Sequence, residues 1–242
     1  MRGQSCCAGS LAAASLLDDE ALALAERVAH PFSLLDALLF TIMLHLDRGE
    51  PALALRQLEA AEALAREQRL GFNFEPRFLH GAILTAQGAY EEGSACLRDG
   101  LASRLGAMRF RLYGLTRLAE ALVRQRDNGA ALAATIEGRK AQEETGHRQW
   151  EAELRRLEGA ALVGLNRVDE GQNAFQEALR IARRQQTKSY ELRAATSLAR
   201  LWGERGGRAE ARDLLAPIYN WFTEGFDTAD LKEAKGLLDE LT

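Results

Sequence analysis

Apolar side chains recur along this chain with the period of an α-helix. In the segment 51–67, for example, apolar residues fall at helical spacings along one face: Leu53, Leu58, Ala61, Leu64 and Ala65. Val and Ile are sparse, and the strict apolar–polar alternation that is typical of strands is missing. The pattern predicts an all-α fold with helices of about 14–20 residues.

Short turn motifs separate the helical segments. Each motif contains Gly, Asn or Asp, the residue types expected where the chain reverses between two helices. The motifs lie at 47–49, 87–88, 127–129, 166–169 and 206–207. They predict about five helix hairpins, with a leading helix near 19–29 and a trailing helix at 229–241.

The hairpins also share a pattern of small residues. Gly159 lies in a first helix, Gly171 begins the second helix, and Phe175 follows four residues later. Small residues allow two helices to approach closely, and a large residue fills the space beside them. Corresponding sets are Gly81, Gly93 and Leu97; Ala119, Ala131 and Thr135; Ala199, Ala211 and Leu215; and, less regularly, Ile42, Ala54 and Leu58.

The second small residue of each set lies at position 54, 93, 131, 171 or 211, so that the repeats are 38–40 residues long. Small–small–large spacing is typical of tetratricopeptide (TPR) repeats, which have about 34 residues, whereas HEAT and armadillo repeats share the greater length. We therefore predict a right-handed superhelical solenoid of TPR-like hairpins over 18–242, with a capping helix at 229–241. Residues 1–17, rich in Ser, Gly and Ala, are predicted to form a poorly ordered or atypical N-terminal segment.

The C-terminal half resembles a known family. The segments EALRIARRQQTKSYELRAATSLARLW, GRAEARDLLAPIY and NWFTEGFDTADLKEAKGLLDEL resemble the C-terminal TPR region of bacterial multidomain signalling proteins. A looser resemblance extends back to Glu20, but residues 1–17 depart from the family pattern. In that family an adenylate/guanylate cyclase, kinase or DNA-binding domain and an AAA-like predicted ATPase precede the repeats.

The resemblance implies the detached or truncated regulatory tail of such a signalling protein. The phosphate-binding pattern G-x-x-x-x-G-K-[ST] does not occur in the chain. We therefore expect neither ATPase nor cyclase activity, and no enzymatic activity, from this chain alone.

Net charge, hydropathy and cysteine content limit which partners and which cellular compartment we expect for this chain. The formal net charge of −4 gives no basic excess for binding nucleic acid. No apolar run reaches the roughly 18–20 residues that span a membrane. The three cysteines form no disulfide framework, which favours a cytoplasmic protein.

No residue pattern predicts a metal, a cofactor or a catalytic centre. The four histidines are not spaced as metal ligands, and no CxxC or HExxH motif occurs. A basic cluster is predicted on one helix near its C-terminus, where cations are favoured; a solvated face explains it better than a nucleic-acid site. This cluster consists of Arg180, Arg183, Arg184 and Lys188.

The first helix of each TPR hairpin lines a concave groove, so we predict that this groove binds a peptide or partner protein. Arg156, Arg193 and Arg200 are predicted to form a basic strip that favours an acidic partner segment. The candidate groove residues are Phe78, Thr85, Tyr113, Thr116, Glu120, Glu153, Arg156, Arg193, Thr196 and Arg200.

Two alternatives to a protein-binding scaffold remain open from the sequence. A regulatory module that binds a small-metabolite effector would have a closed apolar pocket with a few polar groups instead of an open groove. A nonfunctional gene fragment is the weakest alternative. Independently, the many large apolar residues of 16–46 predict that the chain self-associates, or binds an upstream part of the signalling protein, through this surface. Alternatively, residues 1–17 fold into an extra helix that covers it.

Overall fold

The computed structural model describes residues 20, 22–25, 27–28, 30–70, 76–102 and 110–242. These residues form helices and no strand, which confirms the predicted all-α class. The described residues between 20 and 28 are helical, in the region of the predicted leading helix. The helices that follow are α1 (Pro31–Asp47), α2 (Pro51–Glu67), α3 (Arg77–Ala86), α4 (Tyr90–Ala102), α5 (Arg111–Arg124), α6 (Asn128–Thr145), α7 (Glu151–Gly164), α8 (Val168–Gln185), α9 (Lys188–Glu204), α10 (Arg208–Tyr219) and α11 (Ala229–Glu240).

The five predicted turns share one backbone conformation. Each has a left-handed residue five positions before the second small residue of its hairpin, within the predicted motif or, for Arg126, directly before it. At four turns the next amide donates to the carbonyl five residues earlier, as Arg167 does to Leu162 at 2.9 Å; this is the Schellman arrangement that ends a helix. The left-handed residues are Gly49 (φ 74°), Gly88 (φ 88°), Arg126 (φ 63°), Asn166 (φ 65°) and Gly206 (φ 89°).

Close approach at the small residues is confirmed in two hairpins. A Cβ atom added to Gly81 would lie 2.8 Å from the carbonyl oxygen of Gly93. A Cβ atom added to Gly159 would lie 3.0 Å from the carbonyl oxygen of Gly171 and 2.6 Å from the ring of Phe175. The two helices therefore touch through their backbones, with the large residue packed beside them.

The chain divides into two compact units, one ending at Gln125 and one spanning Arg126–Thr242. In the first unit, α1 packs on α2 and α3 packs on α4, while α3 also contacts both α1 and α5. In the second unit, α7 packs on α8 and α9 packs on α10, while α9 also contacts both α7 and α11. Within each unit the first helices of successive hairpins therefore lie side by side.

Helix α11 matches the predicted capping helix to within one residue at its end. Leu231, Ala234 and Leu237 are buried on its inner side and pack in one core cluster with Leu192, Ala195 and Ala199 of α9. The exposed charged residues of α11 include Lys232, Glu233, Lys235 and Asp239.

Candidate interaction surface

A row of charged side chains connects the three adjacent helices α7, α9 and α11; we call it the charge ladder. Arg193 of α9 lies at its centre. Its Nε donates to Asp230 Oδ2 of α11 at 2.6 Å, and its Nη1 lies 3.6 Å from Glu153 Oε1 of α7. The ladder consists of Glu153, Arg156, Arg193, Arg200, Asp230 and Glu233.

The buried and exposed ends of the charge ladder differ. Glu153 is only 4% exposed, and Arg156 donates to it from both Nε (2.9 Å) and Nη2 (2.7 Å). Arg200 donates to Glu233 at 2.7 Å, with both side chains more than 40% exposed. A bidentate pair shielded from water holds its geometry more firmly than a single exposed contact. The Arg200–Glu233 end is therefore the accessible end of the charge ladder.

These contacts correct the prediction that Arg156, Arg193 and Arg200 form a basic strip. Arg156, Arg193 and Arg200 do lie on the adjacent helices α7 and α9, but each is paired with a carboxylate of the chain itself. Two of those carboxylates come from α11. The surface therefore presents alternating charges of both signs instead of a basic strip.

The three predicted threonines do not line an open groove. Thr85, Thr116 and Thr196 are each at most 5% exposed, and each hydroxyl donates at 2.8 Å to the carbonyl four residues earlier. This bond satisfies the hydroxyl without water, so that the side chain can be buried. The expectation that they offer an accessible surface is wrong.

Phe78 is also buried, at 3% exposure. Its backbone lies against Gly100 of α4, where an added Cβ atom would be 2.6 Å from the Phe78 nitrogen. Its ring stacks on Phe110 at 5.6 Å. Phe78 therefore belongs to the interior and not to an accessible groove.

Tyr113 and Glu120 lie beside a buried arginine in the first unit. The Arg117 guanidinium lies 5.1 Å from the Tyr113 ring, and its Nη1 donates to Glu120 Oε2 at 2.8 Å; it also pairs with Asp47 of α1. Burial raises the pKa of the fully enclosed Tyr113, and the neighbouring Arg117 only partly offsets this. Tyr113 is thus an interior residue, whereas Glu120 is half-buried.

The apolar residues of 16–46 are divided between interior and surface. Residues 16–19, 21, 26 and 29 lie outside the described residues. Seven of the 17 residues of α1 are buried, including Leu35, Leu39 and Ile42. Among the described residues of this region, the large apolar side chains that remain exposed are Leu24, Val28, Phe32 and Phe40. Self-association through this smaller surface stays a prediction.

A second site, which the sequence pattern did not predict, lies where α8, α9 and the segment after α10 meet. It is an open cleft of about 530 Å³, lined by Arg183, Gln186, Lys188, Glu191 and Trp221. We call it the Trp221 cleft. The basic cluster at 180–188 was visible in the sequence, but Glu191 and Trp221 reach the same place only through folding. Lys188 also begins α9 instead of ending α8, because Gln186 adopts a left-handed conformation.

Among the described residues, no three His, Cys, Asp or Glu side chains are placed to hold a metal ion together. None of the described helices combines the length and the apolar character that crossing a membrane requires. The chain matches no model of a known protein family, and a search of curated proteins finds no match either.

Proposed function

We propose that the chain is a protein–protein interaction scaffold, built as a TPR-like solenoid, which binds a partner across the first helices of its hairpins. The observation that supports this most is the repeated hairpin: the left-handed turn residue precedes the small anchor by five positions each time. Repeated hairpins whose first helices lie side by side form the extended surfaces with which solenoid proteins bind partners.

The charge ladder is the part of this surface that we assign to the partner. Arg200 and Glu233 are its most accessible members, and an exposed ion pair of this kind contributes only about 0–1 kcal/mol to stability. A partner can therefore separate the two side chains at small cost and pair with both. Such a surface favours a partner segment with acidic and basic side chains in complementary positions.

The resemblance to the TPR region of bacterial signalling proteins supports a regulatory role beside a cyclase, kinase or ATPase. In this proposal the chain acts in the cytoplasm and carries no catalytic centre itself. The charged, half-exposed surface supports a protein partner better than a small metabolite, which would require an enclosed and mainly apolar pocket.

A charge-exchange experiment tests the proposal. Proteins that bind the full chain would be captured with cross-linking from cells that produce it, and their affinities measured by calorimetry. The variants are Arg200→Glu, Glu233→Arg and the double exchange, which restores the internal pair but reverses the charges shown to a partner. The control is Arg167→Glu, which breaks a comparable exposed pair with Glu170 on α8.

We expect binding of the partner to weaken in both single variants and in the double exchange. Thermal unfolding should show that the double exchange regains the stability of the original pair. Equal affinity of every captured protein for the original chain and the double exchange would contradict the proposal, as would equal loss in the Arg167→Glu control.

A further inference from the structure

The Trp221 cleft brings together residues from three separate segments. Arg183 lies in the last turn of α8, and Gln186 reverses the chain with a φ of 57°. Lys188 begins α9 immediately afterwards, and Trp221 follows the end of α10 at Tyr219. The cleft thus depends on the tertiary packing of the second unit.

A buried carboxylate orients the two cations of the cleft. Glu191 is only 5% exposed and accepts hydrogen bonds from Arg183 Nε at 2.9 Å and from Lys188 Nζ at 2.7 Å. Burial alone would raise the pKa of Glu191, but the bonds from Lys188 and Arg183 outweigh it and lower the pKa, so that the group stays ionised. Two cations share one anion, which leaves the cleft with one positive charge.

Arg183 retains donors that the described protein does not use. Its Nε is held by Glu191, while its side chain is 54% exposed and its two terminal nitrogens have no described hydrogen-bond partner. A guanidinium held in this way presents a preoriented pair of N–H groups to a carboxylate. The first element of recognition is therefore an anion beside Arg183.

An aromatic surface lies next to these cations. Trp221 is 43% exposed, and Lys188 Nζ lies 5.2 Å from the centre of its ring. Phe222 packs edge-on against the Trp221 ring at 5.2 Å. Phe226, in the same segment, is 48% exposed. Trp and Arg side chains are the residues most often found at the energetic centres of protein interfaces.

From this juxtaposition we propose that the Trp221 cleft binds a segment of a partner protein in which an Asp or Glu adjoins an aromatic side chain. The carboxylate pairs with Arg183 and Lys188, and the aromatic ring packs on Trp221. An open cleft with three charged residues among its five lining residues fits a peptide better than a small molecule, whose sites are enclosed and mostly apolar. The inference rests on the proposed function only in taking a protein as the ligand, because the charge ladder uses different residues.

NMR of the indole N–H groups tests the proposal on the unaltered chain. The chain has three tryptophans, and Trp221→Phe assigns the signal of Trp221. The probes are the blocked peptides Gly-Asp-Phe-Gly, Gly-Asn-Phe-Gly and Gly-Asp-Ala-Gly, and adenosine monophosphate as a small anionic aromatic ligand. The peptide comparison itself is made on the unaltered chain, and Trp221→Phe serves only to assign the signal.

We expect the Asp-Phe peptide to shift the Trp221 signal saturably, and the Asn and Ala peptides to bind on the order of tenfold more weakly. Arg183→Met should weaken binding of the Asp-Phe peptide by about tenfold or more. The control Arg180→Met, which removes an exposed arginine of α8 that pairs with Glu177, should leave this affinity unchanged.

Three results would overturn the inference: no shift of the Trp221 signal at millimolar Asp-Phe peptide, equal affinity for the Asn peptide, or tighter binding of adenosine monophosphate than of any peptide. The last result would identify the cleft as a small-molecule site. None of them bears on the Arg200 and Glu233 exchange, so failure here is distinguishable from failure of the proposed function.

Discussion

The contact between α7 and α8 gives the sharpest test of the repeat, through the substitution Gly159→Ala. The added methyl group would lie 2.6 and 2.7 Å from two ring carbons of Phe175 and 3.0 Å from the carbonyl oxygen of Gly171. Phe175 is 4% exposed, so its ring is enclosed by packed neighbours. The two helices must therefore separate, or the ring must leave its position.

The expected magnitude combines two opposing effects. Forcing an extra methyl group into a packed core costs about 1–3 kcal/mol, and we expect the upper end because a backbone carbonyl and a buried ring both obstruct it. Alanine is favoured over glycine inside a helix by about 1 kcal/mol. The free energy of unfolding should therefore fall by about 2 kcal/mol.

Urea unfolding, followed by the helical circular dichroism signal, measures this change. The matched control is Gly236→Ala in α11 of the same unit, where nothing lies within 4 Å of the added atom; it should stabilise by about 1 kcal/mol. In a Phe175→Leu background the cost of Gly159→Ala should shrink by at least about 1 kcal/mol, since residues in contact do not act additively. A Gly159→Ala protein as stable as the original, or an equal cost in both backgrounds, would refute the reasoning.

Three further predictions concern buried ionisable groups. Glu153→Gln should lower the free energy of unfolding by about 3 kcal/mol, because it removes the buried charge to which Arg156 donates two hydrogen bonds. Urea unfolding measures this change, and an unchanged urea midpoint would contradict it. The folded-state pKa of Glu191 lies below its ordinary value of 4.5, so its contribution is present above that pH and is lost as the pH falls through the folded-state pKa. Glu191→Gln should flatten the acid side of a plot of urea midpoint against pH, and an unaltered slope would argue against the assignment. Burial raises the pKa of Tyr113 above its ordinary value of 10.0, so its contribution is fully present below pH 10 and is lost as the pH rises towards the folded-state value. Tyr113→Phe should reduce the alkaline loss of stability, and an ultraviolet titration that shows Tyr113 ionising in the folded protein would exclude this explanation.

The sequence by itself determined the helical class and the register of the hairpins. Turns depend on local chemistry: Gly49, Gly88 and Gly206 take the left-handed conformation that a glycine adopts without steric cost. The close contacts between helices depend on residue size, and the glycines at 159 and 171 that allow them can be recognised from the sequence alone. Both signals act over a few residues or one repeat length, so a single sequence is sufficient to reveal them.

Tertiary structure alone decided which polar residues stay accessible and which charges meet. Thr196 counts as a groove residue by helical period, but its bond to the Leu192 carbonyl allows complete burial. Arg193 contacts Asp230, and Lys188 contacts Trp221, although the residues of each pair are more than thirty positions apart in the sequence. Helical periodicity contains no information about pairs so far apart. The free energy of a charged side chain depends on the partner and the water that surround it, and both are set only when the helices pack.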